Sequence, residues 1–384
     1  MDVFLTEEQE QIREMVHDLC LERVEPRAPE IDESGEFPWD IKELFARHDI
    51  LGIPFTPEYG GISGSALTLI LAVEEISKFC ATSSLILSVQ SLGSLPIWLA
   101  GTEDQKRKYL PPLARGEKLA SYALTEPGSG SDAGGMRTRA VRHGDTYVIN
   151  GSKTFITGGS VADTIVVFAR TDQDGEAPAR NTSAFVVEKT MPGFKVGKLE
   201  KKLGIRGSPT AQLFFEDVAV PVANRLGSEG EGFKLALRVL DHSRPGIAAQ
   251  ALGIAEGAFD VARRYAKERK QFGKPITEFQ GIQFMLADMA TQIEAARALT
   301  YAAGDALDRH LPDITVSSSM AKLFASDTAM RVTTDAVQIL GGYGYLRDFP
   351  VERMMRDAKI TQIYEGTNEI QRFVIARELL KEKA

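Results

Sequence analysis

Thr125-Glu126-Pro127-Gly128-Ser129-Gly130-Ser131-Asp132-Ala133-Gly134-Gly135, running on into Met136-Arg137-Thr138-Arg139-Ala140-Val141, is the stretch on which the fold turns. Gly128-x-Gly130-x-x-Ala133 formally meets the loose dinucleotide-binding pattern, in which glycines let backbone N–H groups approach a pyrophosphate at a helix start. No helix-forming sequence follows it. Met136 to Val141 lead to a turn and a further strand-like run, so context excludes a doubly wound nucleotide-binding domain. Two readings of the loop stay open: a tight connection between strands, or a ligand loop. Four glycines among Ser, Thr and Asp offer more hydrogen-bonding capacity than a turn needs, which favours a bound polar ligand.

On both sides of that loop the pattern is strand-like. Tyr147-Val148-Ile149, Thr164-Ile165-Val166-Val167-Phe168, Ala184-Phe185-Val186-Val187 and Gln212-Leu213-Phe214-Phe215 alternate with the turn formers Asn150-Gly151, Asp174-Gly175 and Pro192-Gly193. No long helical pattern separates them. This predicts an antiparallel β-barrel or sandwich over residues 119–230, not a parallel sheet with crossover helices.

Residues 1–118 read as helices. Thr6 with Gln9 fits a capping box, after which Ile12, Met15, Val16 and Leu19 recur at helical spacing. Pro54-Phe55-Thr56-Pro57 with Gly60-Gly61, and Pro111-Pro112, are expected to break the pattern. Residues 231–384 are helical again, with Ala-rich windows at 287–306 and 320–338 and only Pro245, Pro275, Pro312 and Pro350. The expected class is α+β: a helical domain at 1–118, a β domain at 119–230 and a helical domain at 231–384. There is no internal repeat.

Composition bounds the function. The 384 residues are 43% hydrophobic and 26% charged, with a formal net charge of −8, as in a globular protein with a sizeable core and unlike a disordered or disulfide-scaffolded chain. No uninterrupted apolar run approaches the ~18 residues of a membrane span. The acidic start, Met1-Asp2-Val3-Phe4-Leu5-Thr6-Glu7-Glu8, lacks the features of a secretory or transit segment. Cys20 and Cys80, with no CxxC, suit a reducing compartment. The expected location is therefore cytoplasmic, or the mitochondrial matrix if the chain is a processed one. Acidic balance argues against nucleic acid as a partner. His17, His48, His143, His242 and His310 show no metal-ligand spacing, so no metal is expected. No P-loop or GxSxG elbow occurs, which removes NTPases and common hydrolases.

Two further segments carry chemistry. Gln338-Ile339-Leu340-Gly341-Gly342-Tyr343-Gly344-Tyr345 interrupts the C-terminal helices with more glycine than a helix cap needs. In Ile363-Tyr364-Glu365-Gly366-Thr367-Asn368-Glu369, Thr367 can cap a helix and Glu365 precedes it. The Glu365 carboxylate either complements the helix dipole or serves as a general base whose pKa burial raises.

Together these segments resemble the acyl-CoA dehydrogenase family of flavoproteins. The resemblance rests on Ala123 to Asp132, on Gln338 to Gly344 with Asp348, Arg353 and Asp357, and on Lys153-Thr154-Phe155-Ile156-Thr157, Arg269-Lys270-Gln271-Phe272-Gly273-Lys274 and Tyr364-Glu365-Gly366-Thr367. These motifs keep the family's order and spacing essentially end to end.

The resemblance implies an N-terminal helical domain, a central β domain and a C-terminal four-helix domain, assembled as a homotetramer built from a dimer of dimers. It implies FAD as cofactor. Tyr122, Leu124, Thr125, Gly130 and Ser131 would hold the flavin from one side, with Phe155 facing the ring and Thr157 donating to N5. Many relatives carry Trp at the Phe155 position, so the aromatic face is kept without an indole N–H. Arg269, Gln271, Phe272, Gln280, Gln338, Gly341 and Gly342 would reach the pyrophosphate and adenosine, some across a subunit boundary, and Thr367 and Glu369 would complete the site. For the acyl-CoA, Ser131, Asp241, Arg244, Tyr364 and Gly366 match substrate-contacting positions.

In that family a Glu at the Glu365 position takes the thioester α-proton, the β-hydride passes to flavin, and trans-2-enoyl-CoA results. The enolate-like oxygen is held by the backbone N–H at the same position and a ribityl hydroxyl. Some relatives place the base near residue 243; here that position is Ser243, so Glu365 is the expected base. The electron acceptor would be an electron-transferring flavoprotein. Ala81 to Ser88 lacks the Arg that glutaryl-CoA relatives use for a distal carboxylate, which disfavours a dicarboxylate. Short or medium acyl chains are the default, with cavity depth expected from Leu85, Leu92, Leu95 and Tyr364. The competing functions are an oxygen-using acyl-CoA oxidase-like enzyme of the same fold, a non-catalytic FAD- or CoA-binding member, and, from the glycine loop alone, a nicotinamide dehydrogenase.

Overall fold

Thr6 and Thr102 each open a helix through a complete capping box, closed by Gln9 and Gln105. A computed structural model describes residues 5–171 and 181–381; the turn read at Asp174-Gly175 lies outside the described residues. The first helical layer comprises α1 (Glu7–Leu19), α2 (Ala28–Ser34), α3 (Trp39–Arg47), α4 (Ala66–Phe79), α5 (Ala81–Ala100) and α6 (Glu103–Ala114). Pro111 and Pro112 do not break the chain where the sequence suggested, because they lie inside the last turn of α6. Their carbonyls still accept from Arg115 and Lys118 N–H, while their missing N–H groups end the helix soon after. Helix α5 is long and apolar enough by composition to cross a membrane, but most of it is buried inside the protein.

The strands are β1 (Ala120–Ala123), β2 (Arg139–His143), β3 (Thr146–Thr157), β4 (Thr164–Arg170), β5 (Thr182–Glu188), β6 (Phe194–Leu199), β7 (Thr210–Pro221) and β8 (Arg225–Leu226). They form one sheet in the order β6-β7-β3-β2-β4-β5-β8, with β1 also on β4. Most pairings are antiparallel, but β1·β4 and the single contact β2·β4 are parallel, so the sheet is mixed and not purely antiparallel as expected. The glycine loop and the β2–β3 hairpin intervene between β1 and β4, and this long connection returns the chain in the same direction without a crossover helix. Both faces of β4 are covered. Val166 and Phe168 pack with Leu110, Leu113 and Val239, while Ile165 and Val167 pack with Tyr147, Phe185 and Leu213.

After the sheet come α7 (Gly232–Glu268), a two-stranded ribbon of β9 (Lys270–Gln271) and β10 (Lys274–Pro275), then α8 (Gln280–Asp308), α9 (Ile314–Leu340), α10 (Val351–Thr361) and α11 (Asn368–Leu379). Helix α7 is the axis on which α4, α8 and α9 pack. It meets α4 closely because Gly253 and Gly257 leave no side chain in the way: a Cβ at either would lie 2.2 Å from the Glu74 or Lys78 carbonyl oxygen. This contact fixes α4 and α5 against the middle of α7, where the site lies.

Candidate active site

Glu365 sits in the turn between α10 and α11 with φ 52°, followed by Gly366 at φ 92°. A left-handed Glu costs ~1–2 kcal/mol, and the turn is held against that cost from several sides. Gln371 Nε2 donates to the Glu365 carbonyl at 3.2 Å and to the Gly366 carbonyl at 2.9 Å. Lys322 Nζ on α9 donates to the Gly366 carbonyl and to Asn368 Oδ1, both at 2.8 Å. Thr367 caps α11, its hydroxyl accepting from Ile370 N–H at 3.3 Å, as its position in the sequence predicted.

The Glu365 side chain meets α7. Ser243 Oγ donates to Glu365 Oε2 at 2.6 Å, and the buried Arg244 pairs with Asp241 at 2.8 Å while reaching Ser319 and the Glu365 carbonyl. Burial pushes the Glu365 carboxyl up from its ordinary value; the Ser243 hydrogen bond and the charges of Arg244 and Lys322 pull the other way. Burial draws Lys322 down to about 7. Tyr364 gives its hydroxyl proton to Gln250, and Tyr122 donates to the Ala236 carbonyl at 3.4 Å. Burial, then the Glu365 charge, raises both phenols well above their ordinary value.

Glu365 opens into a pocket walled by Leu69, Ile70 and Val73 of α4, Ser88 and Ser91 of α5, His242 and Ile247 of α7, and Leu307 of α8. The sequence had pointed to Leu85, Leu92 and Leu95. Leu85 lines a separate cavity of ≈ 330 Å³ beside Thr157, and Leu92 and Leu95 pack towards the sheet. They lie on other faces of α5. Tyr364 is beside Glu365 but is not part of the cavity wall.

On the sheet side, Phe155 stands in a bulge of β3 where the pairing with β7 slips, at φ 57° and 64% exposed. Thr157 follows it, half-buried. The loop after β1 is tied to β3 by a buried pair that the sequence did not single out. Lys153 Nζ, at 0% exposure, donates to the Leu124 carbonyl at 2.9 Å and to Glu126 Oε1 at 2.8 Å. Glu126 in turn accepts from the Arg137 and Thr138 N–H groups, and the Thr154 N–H donates to the Thr125 carbonyl at 2.9 Å. Beyond the pair, Gly128, Gly130 and Ser131 face solvent, and nothing lies within 4 Å of a Cβ added at either glycine.

The second set of expected cofactor residues is elsewhere. Arg269 caps the end of α7, roughly 39 Å along the helix from Ser243 at ~1.5 Å per residue. Its guanidinium lies over the Tyr343 ring at 5.5 Å. Phe272 and Gly273 make the tight turn of the β9–β10 ribbon with φ 52° and 82°, and Phe272 is 93% exposed. Gln271, Gln280, Gln338, Gly341 and Gly342 are also exposed, and Gly341 ends α9 at φ 61°. Glu369 does not belong with these: it is exposed at the first turn of α11, next to the Glu365 turn. Among the described residues, no hydrogen bond, ion pair or ring contact joins this set to Phe155 or Glu365.

The residues fit an extended dinucleotide such as FAD. An outward-facing aromatic in a strained backbone marks each end, Phe155 at one and Phe272 at the other. Open glycine backbone accompanies both, and the distal set offers a cation and amides suited to phosphates. Besides the Lys153–Glu126 pair, the sequence reading missed Lys322, Gln371 and Asn368. The available signal for Lys322 was a lone lysine among the small residues of an Ala- and Ser-rich helix.

Three family models cover nearly the whole chain: acyl-CoA dehydrogenase N-terminal domain at residues 6–117, middle domain at 121–218 and C-terminal domain at 230–380. The chain is 54% identical over 382 residues to the acyl-CoA dehydrogenase, short-chain specific, of Clostridium acetobutylicum, spanning 99% of this chain and 100% of that protein. The butyryl-CoA dehydrogenase of Megasphaera elsdenii superposes with a TM-score of 0.95 at 48% identity, covering 99% and 100% of the two chains. A chain in a structure of the electron transferring flavoprotein of Acidaminococcus fermentans, described in terms of flavin-based electron bifurcation, superposes with a TM-score of 0.97 at 50% identity, covering 100% of each chain.

Proposed function

The chain belongs to the acyl-CoA dehydrogenase family of FAD-dependent oxidoreductases, and on that premise we propose that it converts a short-chain acyl-CoA to the trans-2-enoyl-CoA with Glu365 as the base. The observation that carries this reading is the Glu365 carboxylate, held by Ser243 at 2.6 Å in a strained turn at the mouth of an apolar cavity. Its raised pKa, still far below that of a thioester α-carbon, suits a base that works near neutral pH.

The residues divide the work. Ser243 occupies Oε2, which leaves Oε1 for the α-proton. Arg244, buried and paired with Asp241, anchors the carbonyl of the same turn. Leu69, Ile70, Val73 and Leu307 exclude water around the acyl chain, which strengthens every charge interaction there. The Glu365 N–H would donate to the thioester oxygen as negative charge builds on it, a contact worth ~3–4 kcal/mol in comparable sites. FAD, when bound, supplies the acceptor for the hydride from the β-carbon.

Tyr122, Leu124, Thr125, Gly130, Ser131, Phe155 and Thr157 would hold the flavin end, with Thr367 and Glu369 beside it. Arg269, Gln271, Phe272, Gln280, Gln338, Gly341 and Gly342 of a second copy would hold the rest. The chain's end-to-end likeness to acyl-CoA dehydrogenases supports this division, and with it the homotetramer. Ser131, Tyr364 and Gly366 complete the acyl-CoA contacts beside Asp241 and Arg244. The same reading divides the chain at 118/119 and 230/231, in the loops where helices give way to strands and strands to helices. Electron-transferring flavoprotein is the proposed acceptor, supported by the neighbour described with such a protein. The bacterial source of the relatives supports a cytoplasmic setting.

The test is anaerobic titration of the holoenzyme with acyl-CoA thioesters of increasing length and branching. Short straight chains are expected to bleach the flavin, with electrons passing to an electron-transferring flavoprotein and little peroxide formed in air. No bleaching by any thioester, or peroxide as the main reduced product, would overturn the reading.

A further inference from the structure

Lys322 is at 0% exposure on α9, and its ammonium is spent on the turn that carries Glu365. An unpaired buried ammonium is strongly disfavoured, so its partners define what it does. They are the Gly366 carbonyl and Asn368 Oδ1, both at 2.8 Å. Asn368 is itself locked: its Nδ2 donates to Ser326 Oγ at 2.8 Å and Asp327 Oδ1 at 2.7 Å, both on α9. The cluster therefore ties the end of the Glu365 turn and the start of α11 to one helix. Gln371 also holds the Gly366 carbonyl, together with that of Glu365, but belongs to α11, the element being positioned, whereas Lys322 reaches in from α9 and brings a charge.

We propose that Lys322 is a positioning residue for proton abstraction: it pins the Gly366 carbonyl and Asn368 to α9 so that Glu365 keeps its left-handed backbone, and its charge favours the ionised carboxylate at the cavity mouth. This rests on the reading of Glu365 as the base. Glu365 is faced by Ser243 and Arg244 of α7, Lys322 of α9, Tyr122 of β1 and its neighbour Tyr364, and it shares its pocket with His242 of α7, whose imidazole burial draws down. Lys322 is faced by Glu365, Arg244, Asp327 and Glu369. Arg244 also reaches the turn, through the Glu365 carbonyl, but it is paired with Asp241, whereas Lys322 is bound only to the turn and to Asn368. Lys322, drawn down to about 7 by burial, carries its charge on the acid side of that value; there, without the cation, Glu365 must lose its proton with Arg244 alone to help, at a higher pH.

The experiment follows anaerobic flavin bleaching by butyryl-CoA in the wild-type, Lys322→Met, Lys322→Gln, Lys322→Arg and Glu365→Gln holoenzymes from about pH 5.5 to 9. In Lys322→Met and Lys322→Gln the acid limb is expected to move to higher pH by about half a unit or more, and the plateau rate to fall about tenfold. FAD content and butyryl-CoA affinity stay as in wild type. Lys322→Arg, which keeps the charge, leaves the limb in place. An unmoved limb with an unchanged plateau in the neutral variants overturns the proposal, and so does a limb displaced as far in Lys322→Arg. If Lys322→Met does not hold FAD, Lys322→Gln decides in the same way; if neither neutral variant folds, Lys322 is structural and the proposal falls. Rapid bleaching in Glu365→Gln would instead refute the base assignment, whatever the lysine variants do.

Discussion

Ser243 and Glu365 lie 122 positions apart in sequence, yet the hydroxyl of one donates to the carboxylate of the other at 2.6 Å. The bond fixes which oxygen faces the cavity and stabilises the charged form. Ser243→Ala should therefore raise the Glu365 pKa further. A hydrogen bond to a charged group is worth ~1.5–3 kcal/mol, so the acid limb of kcat/KM should move to higher pH by about one unit. A pH series of initial rates checks this; an unmoved limb contradicts it.

Lys153 and Glu126 form a second relationship of the same kind, buried between β3 and the glycine loop. Burial draws the lysine down to about 8, while Glu126, despite its own burial, is held low chiefly by Lys153. Removing one partner of a buried pair costs ~3–5 kcal/mol. Lys153→Met should lower Tm by several degrees and weaken FAD binding to apoprotein about tenfold, and adding Glu126→Gln should recover part of the stability. Titration of apoprotein by flavin fluorescence, with thermal scans, reads both effects.

The cavity wall predicts chain-length preference. Ser88 and Ser91 present small side chains to the space beside Glu365. Ser91→Leu should fill part of it, leaving butyryl-CoA turnover largely intact while lowering kcat/KM for longer thioesters about tenfold or more. Equal losses across a C4 to C8 panel would show that the acyl chain lies elsewhere.

Away from the site, Glu74 is fully enclosed by α4, α7 and α8, accepting from Tyr301 at 2.8 Å and Arg297 at 3.3 Å. Burial, then the neighbouring Glu256, pushes it up from 4.5 to about 7. A carboxyl raised on folding favours the native state fully below its unfolded value and loses that contribution as pH rises through the folded one. The stability of Glu74→Gln relative to wild type should therefore increase between about pH 4.5 and 7 and level off above. Tm measured across that range tests the sign.

Much of this was legible beforehand. The order of helices, strands and helices follows from local periodicity, and the Thr6 box and the Thr367 cap are local chemistry that formed as read. Glu365, Phe155 and Phe272 were named from motifs, and all three adopt left-handed backbone. What sequence could not supply was registration between distant elements. The parallel β1·β4 pairing depends on how a long connection closes. The rotation of α5 that sends Ser88 and Ser91, and not Leu85, to the cavity is set by packing against other elements, including the close approach of Gly93 to Ala120 and Ser121 of β1. Lys153 was quoted only as part of a motif and Lys322 not at all, because their partners are backbone carbonyls and side chains from other elements.

Glu365→Gln removes the base and little else. The amide keeps the shape and the Ser243 contact but cannot take the α-proton. Mixed anaerobically with butyryl-CoA, the variant holoenzyme is expected to retain FAD and bind the thioester, while flavin bleaching slows by about four orders of magnitude or more. Bleaching within tenfold of the wild-type rate would contradict the account.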